Sequence, residues 1–383
     1  MSNKSPEIEF INLNYMGQKK DRGPDQNALE SLKKLANSAL KKGPFSVTFE
    51  KQPQHIAASG DPRDFLSYAP YWWPENQNGR TVFVKRDGKR NPDIKDVKDQ
   101  KQLENYGDSV TYLALAYYFF NDDKYAQHAA NLTGTFFVDD RTKMNPHVNY
   151  GQVVRGEGNP SGMGRGEGIM STRMLARIAN VLPLLANHPS FRDLNGHLHN
   201  WFNDYLNWLT TSDIGRQELN MPNNHHTWAL VQVATIQYYL GRQDDVRRTV
   251  EGFFSQMAPR QVVDNGDQPL ESSRTKPFHY LIFNLHAMIF LAELGAAVNC
   301  ECYEAAHRAI ERATDYAIQK GREEPAPKNE DRDLFLASRS VQLVSNHHGD
   351  NGRFADYLQA ARQCPAAGTY SGDKCAIVEL WSR

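Results

Sequence analysis

The sequence predicts an all-α fold, a single domain over residues 1–383 in which helical hairpins follow one another into an (α/α) toroid or barrel. Three observations lead there. From Tyr106 onward apolar residues recur at helical spacing, in consecutive pairs of segments. Short connections between segments alternate with long ones, as expected where long loops gather on one face of a ring of hairpins. Strand-like alternation is almost confined to a loop-rich stretch near the N-terminus, and no fixed-period repeat marks a regular solenoid.

Taken in order, residues 1–27 are polar and irregular, and a short helix is expected over 27–40. Residues 43–105 are rich in Pro, Asp, Asn and Trp and read as loops, with a hairpin strand at 81–85 and its turn at Asp87-Gly88. Loops this long in a compact protein are usually functional. Then come the helical pairs. Val110, Leu113, Ala114, Tyr117 and Phe120 precede Tyr125, Ala129, Leu132 and Phe136, with Asn121-Asp122-Asp123 as a tight connection. The next pairs are 174–185 with 198–209, 228–238 with 246–257, and 283–294 with 305–318; two weaker helices follow at 331–344 and 353–362. The long connections are 141–167, 211–224 and 260–276.

The chain has 383 residues, enough to bury a large core. Its 44 basic and 45 acidic residues leave a net charge of −1, so no global basic field favours nucleic acid, and an anionic partner would need a local basic cleft. No apolar run is expected to reach the roughly 18–20 residues of a membrane span, and the first ten residues show no apolar stretch of the kind found in a signal peptide. Four cysteines, Cys300, Cys302, Cys364 and Cys375, lie in the last quarter of the chain; Cys364 and Cys375 flank a Pro- and Gly-containing segment that a disulfide would staple.

Four segments carry candidate chemistry. Asn223-Asn224-His225-His226 stands where a polar loop enters an apolar helix. It reads as an N-cap with a histidine packed behind it, or as amide donors beside a group that titrates near neutrality. Glu271 to Tyr280 is a second loop-to-helix entry, with Arg274 and Lys276 before Pro277 and His279-Tyr280 after it. Tyr68-Ala69-Pro70-Tyr71-Trp72-Trp73-Pro74 is a run of aromatics that either packs inward or forms a wall for sugar stacking. Finally, Asn149-Tyr150-Gly151-Gln152 leads to Gly162-Met163-Gly164-Arg165-Gly166-Glu167-Gly168. No strand precedes that glycine-rich run and no Lys-Ser/Thr follows it, so it is read as a loop rim carrying Arg165 rather than a phosphate loop.

As a set these motifs resemble the alginate-lyase superfamily of polysaccharide lyases. The matching blocks are Tyr68 to Pro74, Arg86-Asp87-Gly88 with Asn91-Pro92, Met144-Asn145-Pro146, Asn149-Tyr150 with Gln152, Asn223-Asn224-His225, and Arg274 with Tyr280, covering residues 61–294 in the family's order. The resemblance implies an incomplete (α/α) toroid with a long cleft and a catalytic group carried over to Asn224, His225, Arg274 and Tyr280. Residues Tyr68, Tyr71, Trp72, Trp73, Tyr150, Gln152, Arg165, His226, Lys276 and His279 are the candidates for substrate contact. His226 departs from the pattern, which has a small residue there in many relatives. The cysteine region has no counterpart in the resemblance. The expected partner is an acidic polysaccharide, with no nucleic acid or membrane, and the protein is expected to be a secreted monomer.

The residue types suit elimination from a uronate. Removing the C5 proton requires neutralising the adjacent carboxylate, for which Asn224 and Arg274 are an amide and a permanent cation. His225 adds a hydrogen bond or acts as base, and Tyr280 acts as base, acid or both, its phenolate favoured by a cationic neighbour. Two rival readings stand beside this. A glycoside hydrolase needs two carboxylates across the scissile bond, and Glu167, Asp264, Asp267 and Glu271 lie in loops. A carbohydrate-binding protein would use the aromatic run without needing Tyr280. No cofactor or metal is expected, because adjacent histidines such as His225-His226 or His347-His348 rarely bind one ion together and no carboxylate cluster accompanies them in the sequence.

Overall fold

A computed structural model describes residues 8–323, 331–349, 352–363 and 372–381. The chain divides into two compact units, residues 39–221 and residues 1–38 with 222–383. It begins with α1 (Leu13–Arg22) and α2 (Gln26–Ala39), so the expectation of an irregular start over 1–27 is corrected. Apolar spacing misses α1 because Met16 is its one buried side chain; what defines it is capping. The Asn12 side chain accepts from the backbone N–H groups of Asn14 and Tyr15, and Lys19, Lys20 and Arg22 lie in the last turn, where cations offset the helix dipole.

In the unit spanning 39–221, β1 (Leu66–Tyr68) is followed by a hairpin of β2 (Trp72–Gln77) and β3 (Arg80–Lys85). The hairpin turn is Asn78-Gly79, both at positive φ, rather than the expected Asp87-Gly88. The latter belongs to a second turn after β3, which folds back so that Asn91 donates its backbone N–H to Pro70 and its side-chain amide to the Trp72 carbonyl.

α3 (Asp99–Phe120) and α4 (Asp123–Phe137) are the expected first pair. Asn121 ends α3 in a left-handed conformation and Asp122 caps α4, which is why that connection is so short. Tyr106 stacks on Phe136 at 4.7 Å, and Gly107 leaves room for Met174. β4 (Tyr150–Val153) pairs in parallel with β1, and α5 (Met174–Val181), α6 (Arg192–Thr211) and α7 (Asp213–Leu219) complete the unit. α7 occupies part of what reads in the sequence as a loop over 211–224; Ser212 caps it by accepting from Gly215.

The rest of the other unit runs α8 (Asn224–Tyr239), α9 (Gln243–Gly252), a π-helical turn over Phe253–Met257, then α10 (Ala258–Gln261) and α11 (Pro269–Ser272). After these come α12 (Pro277–Ala297), α13 (Ala305–Glu323), α14 (Asp331–His348), α15 (Ala355–Gln363) and α16 (Asp373–Ala376). Three residues of α13, Ala306 to Arg308, have left-handed backbone angles, so its regular helix lies beyond them. α12 corrects the expectation about apolar runs: it is long and apolar enough to cross a membrane by length and composition. It is instead a core helix, 78% of its apolar window being buried, and it packs against α8 and α13. Cys300 and Cys302 are buried thiols with their sulfurs 3.4 Å apart. Cys364 lies outside the described residues, and with it the expected staple to Cys375.

Lys51 and Asp99 form a buried ion pair at 2.7 Å, with side chains 2% and 1% exposed. Asp99 also accepts the backbone N–H of Leu66, so this pair anchors β1 to the start of α3. Burial holds the Asp99 carboxyl up at about 6 even with Lys51 against it. Lys51→Met strands this carboxylate and is expected to cost about 3–5 kcal/mol, read as a shift in the denaturant midpoint with unchanged slope.

Candidate active site

The candidate catalytic residues all belong to the unit containing 222–383, at the starts of α8 and α12 and on the segment between α11 and α12. Asn223 is the N-cap of α8, its side-chain oxygen accepting from the His225 backbone N–H at 3.2 Å. The N-cap reading of this motif is therefore correct for Asn223, and it frees Asn224 and His225 to be the first helical residues. Asn224 is 2% exposed and His225 is half-buried.

The partner of Asn224 is Glu271, a carboxylate only 1% exposed. The Asn224 backbone N–H donates to Glu271 Oε1 at 2.7 Å, and its side-chain nitrogen lies 2.8 Å from Oε1 and 2.7 Å from Oε2. Burial raises the Glu271 carboxyl above the usual range; the Asn224 hydrogen bonds and the charges of Arg274 and His225 oppose the rise. The arrangement differs from the expected one in an important respect. The donor end of Asn224, assigned from the sequence to the substrate, is turned to a protein carboxylate.

Arg274 follows three residues later, its backbone N–H donating to the Glu271 carbonyl at 3.1 Å. Its guanidinium lies 4.0 Å from the centroid of the Tyr280 ring and donates to the Tyr280 hydroxyl oxygen at 3.0 Å. Tyr280 sits in the first turn of α12, which Pro277 opens, and its ring is largely buried. His279 meets Tyr280 edge-on and stacks on Phe283; His226 stacks on Phe253; Lys276 is exposed just before α12.

Beneath these residues lies a set of neutral amides that the sequence reading missed. Gln261 donates to the Asn223 carbonyl and accepts from Thr227 and Asn284, while Asn284 also donates to Gln268. They tie α8, α10 and α12 together, and each is buried. The one signal available was polar residues at apolar positions, as with Asn284 inside the apolar run of α12.

The other candidate contacts lie in the unit 39–221. Trp72 and Trp73 begin β2, and with Tyr68, Tyr71 and Tyr150 they are half-buried. Guanidinium groups lie over several of the rings: Arg155 over Tyr68 at 4.4 Å, Arg86 over Trp73 at 5.4 Å and Arg165 over Trp72 at 5.8 Å. Arg165 also donates to Gln152 at 3.2 Å and pairs with Glu167 at 3.0 Å; burial lowers its pKa, opposed by Glu167 and Glu218.

His347 and His348 do have carboxylate company, contrary to the sequence reading. His348, His347 and Glu304 offer ligand atoms within 4.8 Å of one another. His347 Nε2 lies 3.5 Å from Glu301 Oε1, and His348 Nδ1 lies 3.2 Å from Glu304 Oε1.

Comparisons with known proteins identify the family to which the chain belongs. The sequence pattern of the alginate lyase family matches residues 48–327, and the chain belongs to that family. An alginate lyase from Bacteroides ovatus, solved as a crystal structure, superposes with a TM-score of 0.83 at 27% identity, over 98% of this chain and 99% of that one. Alginate lyase A1-III, from Sphingomonas species A1, is also similar. Its tyrosine-to-phenylalanine variant, complexed with a tetrasaccharide, gives a TM-score of 0.53 at 13% identity over 95% of this chain and 98% of that one. These likenesses bear out the (α/α) toroid class. No curated protein sequence matches the chain.

The glycine-rich run has a packing role. A Cβ on Gly168 would lie 2.5 Å from backbone atoms of Gly151, and Gly164 donates its backbone N–H to Asn149 at 2.7 Å. Gly168→Ala is expected to cost about 1–3 kcal/mol, visible as a lowered melting temperature of the intact protein.

Proposed function

We propose that the protein cleaves a 1,4-linked polyuronate, alginate or its polymannuronate blocks or else glucuronan, by β-elimination, with Tyr280 as the proton-transferring group. The observation that carries this reading is the Arg274 guanidinium donating to the Tyr280 hydroxyl oxygen at 3.0 Å. A cation in that position stabilises a phenolate, the form that can take a proton.

Abstraction of the C5 proton puts charge onto the uronate carboxylate, and the C4 oxygen then leaves with a proton. Arg274, His225 and Asn224 are the groups available to neutralise that carboxylate. In mannuronate and glucuronate, H5 and O4 lie on one side of the ring, so Tyr280 can take the proton and return it to the leaving oxygen. In guluronate they lie on opposite sides, and His225 becomes the base with Tyr280 as the acid. Mannuronate and glucuronate differ at C2, away from these groups, which is why both stay in the proposal. Action outside the cell follows from a substrate of this kind and is part of the proposal.

Glycoside hydrolysis fits the site less well. It needs two carboxylates facing the scissile bond, whereas Glu271 is buried against Asn224 and Glu167 is engaged by Arg165.

Incubation with polymannuronate, polyguluronate, glucuronan and a neutral glucan tests the proposal through near-ultraviolet absorbance, since elimination conjugates a C4–C5 double bond to the carboxylate. Absorbance is expected to rise on at least one uronan and not on the glucan, and Tyr280→Phe is expected to lower the rate by about 10²–10⁴-fold. New reducing ends without absorbance would establish a hydrolase instead, and binding without products a carbohydrate-binding protein.

A further inference from the structure

Asn224 presents a conflict between role and geometry. To present its whole NH2 group to a uronate carboxylate it must turn its nitrogen outward, yet that nitrogen faces both oxygens of Glu271, which take at least one of its two N–H groups. With Glu271 ionised, no other orientation of the amide works, because turning it over would set Oδ1 against a carboxylate. With Glu271 protonated the preference changes. Oε1 can still accept the Asn224 backbone N–H, as it does at 2.7 Å, while the other oxygen donates its proton to Oδ1 and the side-chain nitrogen is released outward.

We propose that Glu271 is a positioning residue that takes up a proton when substrate binds, and so turns the donor end of the Asn224 amide toward the substrate carboxylate. The inference rests on the lyase reading above. The proton comes from solvent, no covalent bond is made or broken in the protein beyond the carboxyl O–H, and the substrate's charge stays with the substrate.

Three observations support it. Glu271 is 1% exposed, and burial disfavours its charged form. The charged or titratable groups that act on it are Arg274 and His225, the same two side chains that an incoming uronate would engage. The remaining polar side chains around the small cavity beside it, Asn223, Gln261, Gln268 and Asn284, are neutral amides that cannot replace the lost stabilisation. An arriving carboxylate therefore both adds a like charge and occupies Arg274, and each effect favours the protonated acid.

The test uses Tyr280→Phe protein, which should hold substrate without turning it over, and a mannuronate tetramer titrated calorimetrically in two buffers of different ionisation heat. Uptake of up to about one proton per tetramer is expected. Adding Glu271→Gln, a neutral side chain that can donate to Oδ1, should remove that uptake while keeping tetramer affinity. Affinity in the Tyr280→Phe parent should weaken by up to about tenfold per pH unit once Glu271 of the free protein is ionised, and this limb should be flat in the Gln variant.

Proton uptake that is absent, or unchanged by Glu271→Gln, overturns the proposal and leaves the lyase reading standing; unchanged uptake would point to His225. Failure of the native protein to act on any uronan removes the lyase reading first, and the proposal with it. Should Glu271→Gln not fold, the infrared difference spectrum of the Tyr280→Phe protein on adding tetramer decides. A carbonyl stretch of a protonated buried carboxyl is expected, and its absence overturns the proposal.

Discussion

The start of α8 depends on a carboxylate supplied by a residue 47 positions later in the chain. The first turn of any helix leaves backbone N–H groups without internal partners. Here Asn223 caps the His225 N–H and Glu271 takes that of Asn224, placing a negative group where the helix dipole favours one. The same carboxylate fixes the Asn224 side chain, and its own backbone carbonyl receives the N–H of Arg274. One acidic side chain thus sets the helix start bearing Asn224 and His225 and lies three residues from the guanidinium on Tyr280.

A buried carboxylate is expensive unless its hydrogen bonds are made. Glu271 meets that requirement with donors from a single residue, and the surrounding amides make no claim on it. Gln261, Gln268 and Asn284 bond mainly among themselves and to helix ends, which rigidifies the floor on which α8 and α12 begin. The contrast with Lys51 and Asp99 is instructive. There a full cation faces the buried acid at 2.7 Å and the pair is structural, locking β1 to α3. At Glu271 the hydrogen-bond donors are the neutral N–H groups of Asn224 instead.

Much of the fold was legible because it is written in local periodicity. The hairpin of α3 and α4 could be read from spaced apolar residues and from Asn121-Asp122, whose side chains perform the turn and the cap. What escaped was defined by capping or by distant partners. α1 buries almost nothing and is made by Asn12, and α7 begins on Ser212 within a polar stretch. The β2–β3 turn was misplaced because Asn78-Gly79 and Asp87-Gly88 carry equivalent turn chemistry, and the choice lies in the strand register. At the site, Arg274 and Tyr280 were paired by the family resemblance, a spacing of six across a helix entry being a weak signal by itself. Glu271 was visible as a residue but not as a partner, since nothing local in the sequence joins it to Asn224.

Around the aromatic hairpin, in a chain with a net charge of −1, arginines gather on the faces of aromatic rings. Arg86 and Arg165 lie over indole rings, and Arg155 is shared between Tyr68 and Phe83 at 4.4 and 4.7 Å. Each of these guanidinium groups also meets a carboxylate, Arg86 with Glu75 at 2.8 Å, Arg155 with Asp93 at 3.0 Å and Arg165 with Glu167 at 3.0 Å. A ring face beside a guanidinium edge is also the pairing a uronate requires, an apolar sugar face next to a carboxylate. An anionic polysaccharide needs local rather than global basic charge, so a near-neutral composition is compatible with one.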